Sequence, residues 1–188
     1  TWTPVYGVVL CLNGHSITSK AYNTIQVKAN CSLTLTDCNR SGEGNGKLKH
    51  AVDPNNSAYF ISGNAVYVVK DGTFVLYGGT ITENEVLYNG NSGGAVSVDK
   101  GGTFRMHGGS ITGNTSVGDG GGVYAAAENK RDAKSYVNVK GSAQITGNKK
   151  GEEDNNLYLP NYSGGVTIGG DLDQTADIRV TTENKPGK

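Results

Sequence analysis

Carboxylates are the first residues to weigh for chemistry. Paired acids on one face of neighbouring strands cleave glycosidic bonds, and carboxylate clusters with Ca²⁺ and a basic residue serve polysaccharide lyases. Here Asp71, Glu83, Glu85, Asp99, Asp119, Glu152, Glu153 and Asp154 are scattered through turn-rich segments. Glu83 and Glu85 flank Asn84, but Gly113 and Gly147 stand where the next copies would need a second Glu83. No carboxylate row follows, and solvated turn charge is the reading adopted. Asp171, Asp173 and Asp177 are the densest acidic spacing, yet they lack the glycine and distal glutamate of a calcium loop. His15, His50 and His107 share no ligand spacing, so zinc is not expected. The glycine-rich run at 118–122 leads into a strand pattern and is no phosphate loop. Neither a metal nor a cofactor is expected, and catalysis is the less favoured reading.

Tyrosine offers a different chemistry, because a flat ring with a hydroxyl handle can lie against a sugar. Tyr67, Tyr124 and Tyr158 each occupy the polar position of a short alternating segment. Tyr77, Arg105 and His107 occupy related positions in other segments and form a polar-aromatic patch if those segments stack. Whether either set assembles depends on the elements that carry it.

Those elements repeat. Residues 72–84, 102–114 and 136–148 align, with Phe74 to Phe104 and Ile81 to Ile111 both 30 positions apart. Ile111 to Ile145 is 34, the excess falling in the polar stretch 128–134 and in one extra residue near Ala143. A second element precedes each copy, around Val66, Val96, Val123 and Leu157. Each segment alternates apolar and polar residues, as a strand with one buried face does. Three short strands in about 30 residues, with glycines at the bends, make one coil of a solenoid. The expected fold is all-β: a right-handed parallel β-helix with three short strands per coil and about six coils, the terminal two incomplete. Residues 1–180 form the single domain, with an insertion at 41–46, and 181–188 read as a polar tail or a linker to a further domain.

Stacking predicts rows. The inward rows read Ile25, Val66, Val96, Val123, Leu157; then Leu12, Leu35, Leu76, Met106, Val139, Ile168; then Ile17, Leu48, Ile81, Ile111, Ile145. The first outward row reads Gln26, Tyr67, Ser97, Tyr124, Tyr158, which puts Tyr67 and Tyr124 roughly 10 Å apart across two coils. On the second strand, Cys11 is placed over Thr34, and Tyr77, Arg105 and His107 fall in adjoining rows. Asn84, Asn114 and Asn148 follow the third strand at one turn position and read as a structural asparagine ladder, since an amide both donates and accepts.

Composition bounds the partners. Seventeen basic residues balance 17 acidic ones, so the basic footprint of a nucleic-acid binder is missing. No apolar stretch approaches the roughly 20 residues of a membrane span. The chain begins at Thr1 with no start methionine or leader, and is expected to be part of a longer multidomain protein. Trp2 and Tyr6 are the candidates to cover the first coil. Three cysteines, Cys11, Cys31 and Cys38, cannot all pair. With Cys11 over Thr34, Cys31 is three residues (about 10 Å) away from that level and Cys38 four, too far for a bond without a change of register. Their oxidation state is left open.

The phrases Cys11-Leu-Asn-Gly-His-Ser-Ile17, Leu33-Thr-Leu-Thr-Asp-Cys38, Gly93-Gly-Ala-Val96, Gly120-Gly-Gly-Val-Tyr124, Ile145-Thr-Gly-Asn148 and Asn156-Leu-Tyr-Leu-Pro160 resemble the β-helix repeats of large surface proteins of gut Firmicutes. The Gly-Gly-Ala-Val phrasing is also similar to the polymorphic outer-membrane adhesins of Chlamydia. The resemblance covers nearly the whole chain and brings no catalytic residues with it. It implies an extracellular or cell-surface, adhesin-like module that binds glycan or a host surface protein, or spaces other domains. The alternatives are a fragment of a carbohydrate-active enzyme and a purely structural stalk.

Overall fold

Alternating residues on short strands give each segment one apolar face, and a single coil has nothing of its own to bury it against. The computed structural model shows how the chain solves this. It describes residues 1–20, 22–39, 45–50, 63–87, 92–127, 134–161 and 163–184. The insertions expected at 41–46 and 128–134 fall largely outside the described residues, as does the end of the tail.

The described residues contain strands and no helix, and the strands stack as a parallel β-helix. Three sheets of six strands form its faces. The first face runs Ile25–Val27, Val66–Val68, Val96–Val98, Val123–Ala125, Leu157–Leu159, Val180–Thr182. The second runs Gly7–Cys11, Ser32–Thr36, Thr73–Leu76, Thr103–Met106, Tyr136–Gly141, Val166–Leu172. The third runs Ser16–Ser19, Lys47–His50, Thr80–Ile81, Ser110–Ile111, Gln144–Ile145, Asp177–Ile178. A shorter fourth sheet joins Glu85–Val86, Thr115–Ser116 and Lys149–Lys150 in parallel, and Glu153–Asp154 closes it antiparallel. The last strand of the first face carries the sheet two residues beyond 180. No described helix is long and apolar enough to cross a membrane.

The register stacks like on like. Ile25, Val66, Val96, Val123 and Leu157 form one inward row of the first face. Ile17, Leu48, Ile81, Ile111 and Ile145 form the inward row of the third, which continues to Ile178. On the second face, Phe74 and Phe104 lie in register and stack with centroids 5.3 Å apart, both fully buried. Each such side chain contributes roughly 1.5–3 kcal/mol on burial, so adding a coil stabilises the coils on both sides of it.

The first strand of the second face corrects the expected alignment. Leu10, not Leu12, stands in the row with Leu35 and Leu76. Leu12 is buried at the corner that follows. Cys11 therefore lies over Thr36 rather than Thr34, and Val9 takes the place over Thr34. This two-residue shift brings Cys11 to Cys38, and the two form a disulfide with Cα atoms 6.1 Å apart across a separation of 27 residues. Loop closure of that length is worth about 3–4 kcal/mol in the chain-entropy account. Cys31 is the free thiol, half-buried. Between the bonded cysteines, Asp37 accepts hydrogen bonds from the backbone N–H of Gly14 (2.7 Å) and Gly46 (2.6 Å). Burial would raise its pKa, but these N–H donors, that of Asn39 and the nearby His15 bring it below the usual carboxylate value.

At the first coil Trp2 extends the first face by a parallel bridge to Ile25, whereas Tyr6 is 79% exposed and covers nothing.

Inside the turn after the third face, Asn84, Asn114 and Asn148 are at most 1% exposed. Asn114 Oδ1 accepts from the backbone N–H (3.1 Å) and Nδ2 (2.8 Å) of Asn84. Asn148 Oδ1 accepts the same pair from Asn114, at 3.2 and 2.8 Å. The column ends on Asn156, whose Oδ1 accepts from Asn148 N (2.7 Å) and Nδ2 (3.0 Å). Gly122 shows how tightly this column is packed: a Cβ there would lie 2.8 Å from Asn148 Nδ2 and 2.6 Å from the Asn156 carbonyl oxygen.

Candidate functional site

Because the inward rows fill the column, chemistry is left to the outward rows and the corners. The outward row of the first face reads Gln26, Tyr67, Ser97, Tyr124, Tyr158 and Thr181, one residue per strand. Every strand of this face before the last is Val/Ile/Leu/Ala at its two inward positions. That pattern holds the middle residue outward and leaves its identity unconstrained by packing.

Tyr124 and Tyr158 stack with centroids 6.0 Å apart and planes 10° from parallel. Tyr67 donates its hydroxyl to Asp99 Oδ2 at 3.2 Å. Ser97, between Tyr67 and Tyr124, has no ring, and a hollow of about 320 Å³ lies there, lined by Tyr67, Ser97, Asp99, Tyr124 and by Tyr22, Asn23 and Asn64. On the other side of Tyr124 a second hollow of about 240 Å³ is lined by Tyr158, Asp119, Asn161 and Glu183. Asn64 is held in the wall of the first hollow: its N–H donates to Asn23 Oδ1 at 3.1 Å, and its Nδ2 donates to the carbonyls of Ser92 and Gly93.

The electrostatics of this face are acidic. Burial raises the Tyr67 pKa, and the adjacent Asp99 carboxylate raises it further. Tyr158 is raised by burial and then by the charges of Asp119 and Glu183. Both phenols therefore stay protonated, and the Tyr67 proton is already given to Asp99. Asp119 is paired with Lys150 at 2.7 Å, and Glu183 accepts from the Asn161 N–H at 2.8 Å.

The second expected set assembles elsewhere. Arg105 lies in register with Val75 and Asn138 on the second face. Tyr77 and His107 follow the ends of neighbouring strands and meet edge to face, centroids 4.6 Å apart at 88°. Burial lowers the His107 pKa, and Lys140 and Arg105 lower it further. Its Nδ1 is buried and makes no hydrogen bond among the described residues. Thus Tyr67, Tyr124 and Tyr158 share one face, and Tyr77, Arg105 and His107 share another.

The acids read as turn charge are held singly. Glu83 pairs with Lys49 at 2.9 Å and with Lys47 at 3.8 Å, and its pKa is lowered by the Lys49 hydrogen bond above all. Asp177 pairs with Arg179, and Asp173 caps Thr175 through its N–H and hydroxyl. Among the described residues no three His, Cys, Asp or Glu side chains converge. Sequence reasoning had the tyrosine row but missed Asp99, Asp119, Asn161 and Glu183 as its companions. The available signal was position: Asp99 follows Ser97 by two residues, at the corner that Tyr67 reaches from one coil away.

Comparison of the chain with protein-family models, with curated proteins and with solved structures finds no match.

Proposed function

We propose that this chain is an extracellular or cell-surface β-helix module that binds glycan along its first face, without catalysis. The observation that carries the reading is the row Tyr67–Ser97–Tyr124–Tyr158, with Tyr124 standing between two hollows and stacked on Tyr158. Rings on a rigid sheet bind at small entropic cost, because their position is fixed before the ligand arrives. Hydroxyl and carboxylate groups beside them supply the polar contacts that orient a sugar.

Two observations support the rest. A general acid for glycoside cleavage needs a raised carboxyl pKa, and the lysine-paired Glu83 is shifted the other way. The Cys11–Cys38 disulfide suits an oxidising, extracytoplasmic compartment, as does the likeness to surface repeats of gut Firmicutes.

The test is binding of the full chain to a panel of immobilised oligosaccharides. Tyr124→Ala is expected to weaken binding at least tenfold while lowering stability only by the lost stack on Tyr158, about 0.2–1 kcal/mol. Failure of the unaltered chain to bind any member, or full binding by Tyr124→Ala, overturns the reading.

A further inference from the structure

The tyrosine row is interrupted at one level only, and the interruption has walls. Ser97 lies in register between Tyr67 on one strand and Tyr124 on the next but one. The hollow of about 320 Å³ over it reaches both tyrosines and the Asp99 carboxylate. That volume is at the small end of the range for ligand sites, about 300–1,000 Å³. Two coil spacings separate the tyrosine levels by about 10 Å. Carbon contacts on two opposed walls take about 7–8 Å of that at 3.5–4.0 Å each. Rings that keep the spacing of their strands leave room for one puckered ring and not for two.

Asp99 gives the gap its polarity. Oδ2 accepts the Tyr67 hydroxyl at 3.2 Å and Oδ1 accepts the Lys100 N–H at 2.8 Å. A carboxylate has about four acceptor positions, so capacity remains for donors from a ligand. Among the described residues that line the hollow over Ser97, Asp99 is the one charged group, and none is Lys or Arg. A ring carrying its own carboxylate or sulfate meets like charge here.

We propose that the gap over Ser97 is a slot for a single uncharged sugar ring, gripped between Tyr67 and Tyr124 and anchored by hydroxyls that donate to Asp99, and that it discriminates against acidic glycans. The proposal rests on the glycan-binding reading above and sharpens it from a platform to a slot. The two make opposite forecasts for Ser97→Tyr. On a platform the added ring completes the stripe and strengthens binding; in a slot it fills the site.

The experiment measures binding of the full chain to neutral gluco-, manno-, galacto- and N-acetylglucosamine oligosaccharides, and to oligogalacturonate of matched length. The expected result is binding to a neutral member at least tenfold tighter than to oligogalacturonate. Ser97→Tyr is expected to lose at least tenfold for that member. Asp99→Asn, nearly isosteric, is expected to lose about fivefold for the neutral sugar and to narrow the gap to oligogalacturonate. Ser97→Tyr binding as well as or better than the unaltered chain overturns the slot but leaves the platform, which then fails only if Tyr124→Ala also binds fully. Preference for oligogalacturonate, or an Asp99→Asn variant indistinguishable from the unaltered chain, overturns the slot independently of how Ser97→Tyr folds.

Discussion

Replacing Asn114 by alanine tests how the asparagine column stabilises the stack. Asn114 is fully buried. Its Oδ1 accepts two hydrogen bonds from Asn84, and its Nδ2 donates to Asn148 Oδ1 (2.8 Å), the Ile81 carbonyl (2.9 Å) and the Thr112 carbonyl (3.1 Å). Truncation leaves the buried Asn84 N–H without its acceptor, at about 1–3 kcal/mol. The Asn84 amide keeps the Leu48 and Thr82 carbonyls, Asn148 Oδ1 keeps the Asn114 N–H, and the Ile81 carbonyl keeps the Thr112 N–H. The remaining losses are ordinary bonds at about 0.5–1.5 kcal/mol each. With two bonds for the two Nδ2 hydrogens and one for the bond accepted from Asn84 Nδ2, Asn114→Ala should cost about 2.5–7.5 kcal/mol in all.

Asn84→Ala is the internal control. Asn84 Oδ1 has no donor among the described residues, so its removal strands no N–H and costs only the bonds its two amide hydrogens donate, about 1–3 kcal/mol. Urea unfolding followed by circular dichroism reads both, with the slope checked because a repeat array can lose cooperativity. Equal losses for the two variants, or less than about 1 kcal/mol for Asn114→Ala, would refute the reasoning.

Glu83 holds a φ of +57° at the position filled by Gly113 (+66°) and Gly147 (+65°) one and two turns on. Glu83→Gly relieves that backbone and removes exposed ion pairs to Lys47 and Lys49, so its net effect should lie within about 1 kcal/mol of zero. Because the Glu83 pKa is lowered in the folded chain, its stabilisation is present above the ordinary value of 4.5 and lost as pH falls through the folded value. The variant should therefore gain on the unaltered chain as salt rises and as pH drops below that window; a difference insensitive to both refutes the ion-pair account. His107 should titrate below its ordinary 6.5 by nuclear magnetic resonance, and Lys140→Gln should move it upward. Its neutral form is favoured in the fold, so its contribution is intact above pH 6.5 and declines on acidification beneath it. A His107 pKa at or above 6.5 would show that burial and the two cations do not act as described.

The inward rows of the middle coils were legible because strict alternation admits one register: slipping Val66-Tyr-Val68 by one residue would bury Tyr67 and expose both valines. At the last coil Ile168, expected inward, keeps register with Val139 but is 64% exposed. The first strand lacked the safeguard of alternation. Val8, Val9, Leu10, Cys11 and Leu12 are apolar without a break, so a two-residue slip satisfies the pattern equally well and Cys11 was set against the wrong level. Corner geometry decided it, through a buried Leu12 and an Asp37 that ties the turns at Gly14 and Gly46. Of the acidic companions of the tyrosine row, Asp99 alone left a positional signal, two residues past Ser97, and the others were illegible for a related reason. Alternation orders residues within a strand, whereas Asp119 and Glu183 approach the row from a corner and from the last coil, where no period places them.

A solenoid decouples its two sides. The ladder of the first face is fixed by Val66, Val96 and Val123 inside and by backbone bonds between coils, and neither depends on what projects outward. An outward side chain can therefore be exchanged with little effect on stability, and the shape of the outer surface becomes a sequence of heights, one per coil. In such a surface a small residue is as informative as a large one. Ser97 between Tyr67 and Tyr124 is a step down of one ring in a row of rings, and on the second face the outward row Val75, Arg105, Asn138 has no comparable step between aromatic walls. A recess needs a floor and two sides, and here all three come from adjacent coils at a spacing the backbone sets. The recess should therefore persist when ligand is absent, and binding should proceed with little change in backbone amide exchange on the strands 66–68, 96–98 and 123–125. Large protection changes on those strands would mean that the face is formed by the ligand rather than waiting for it.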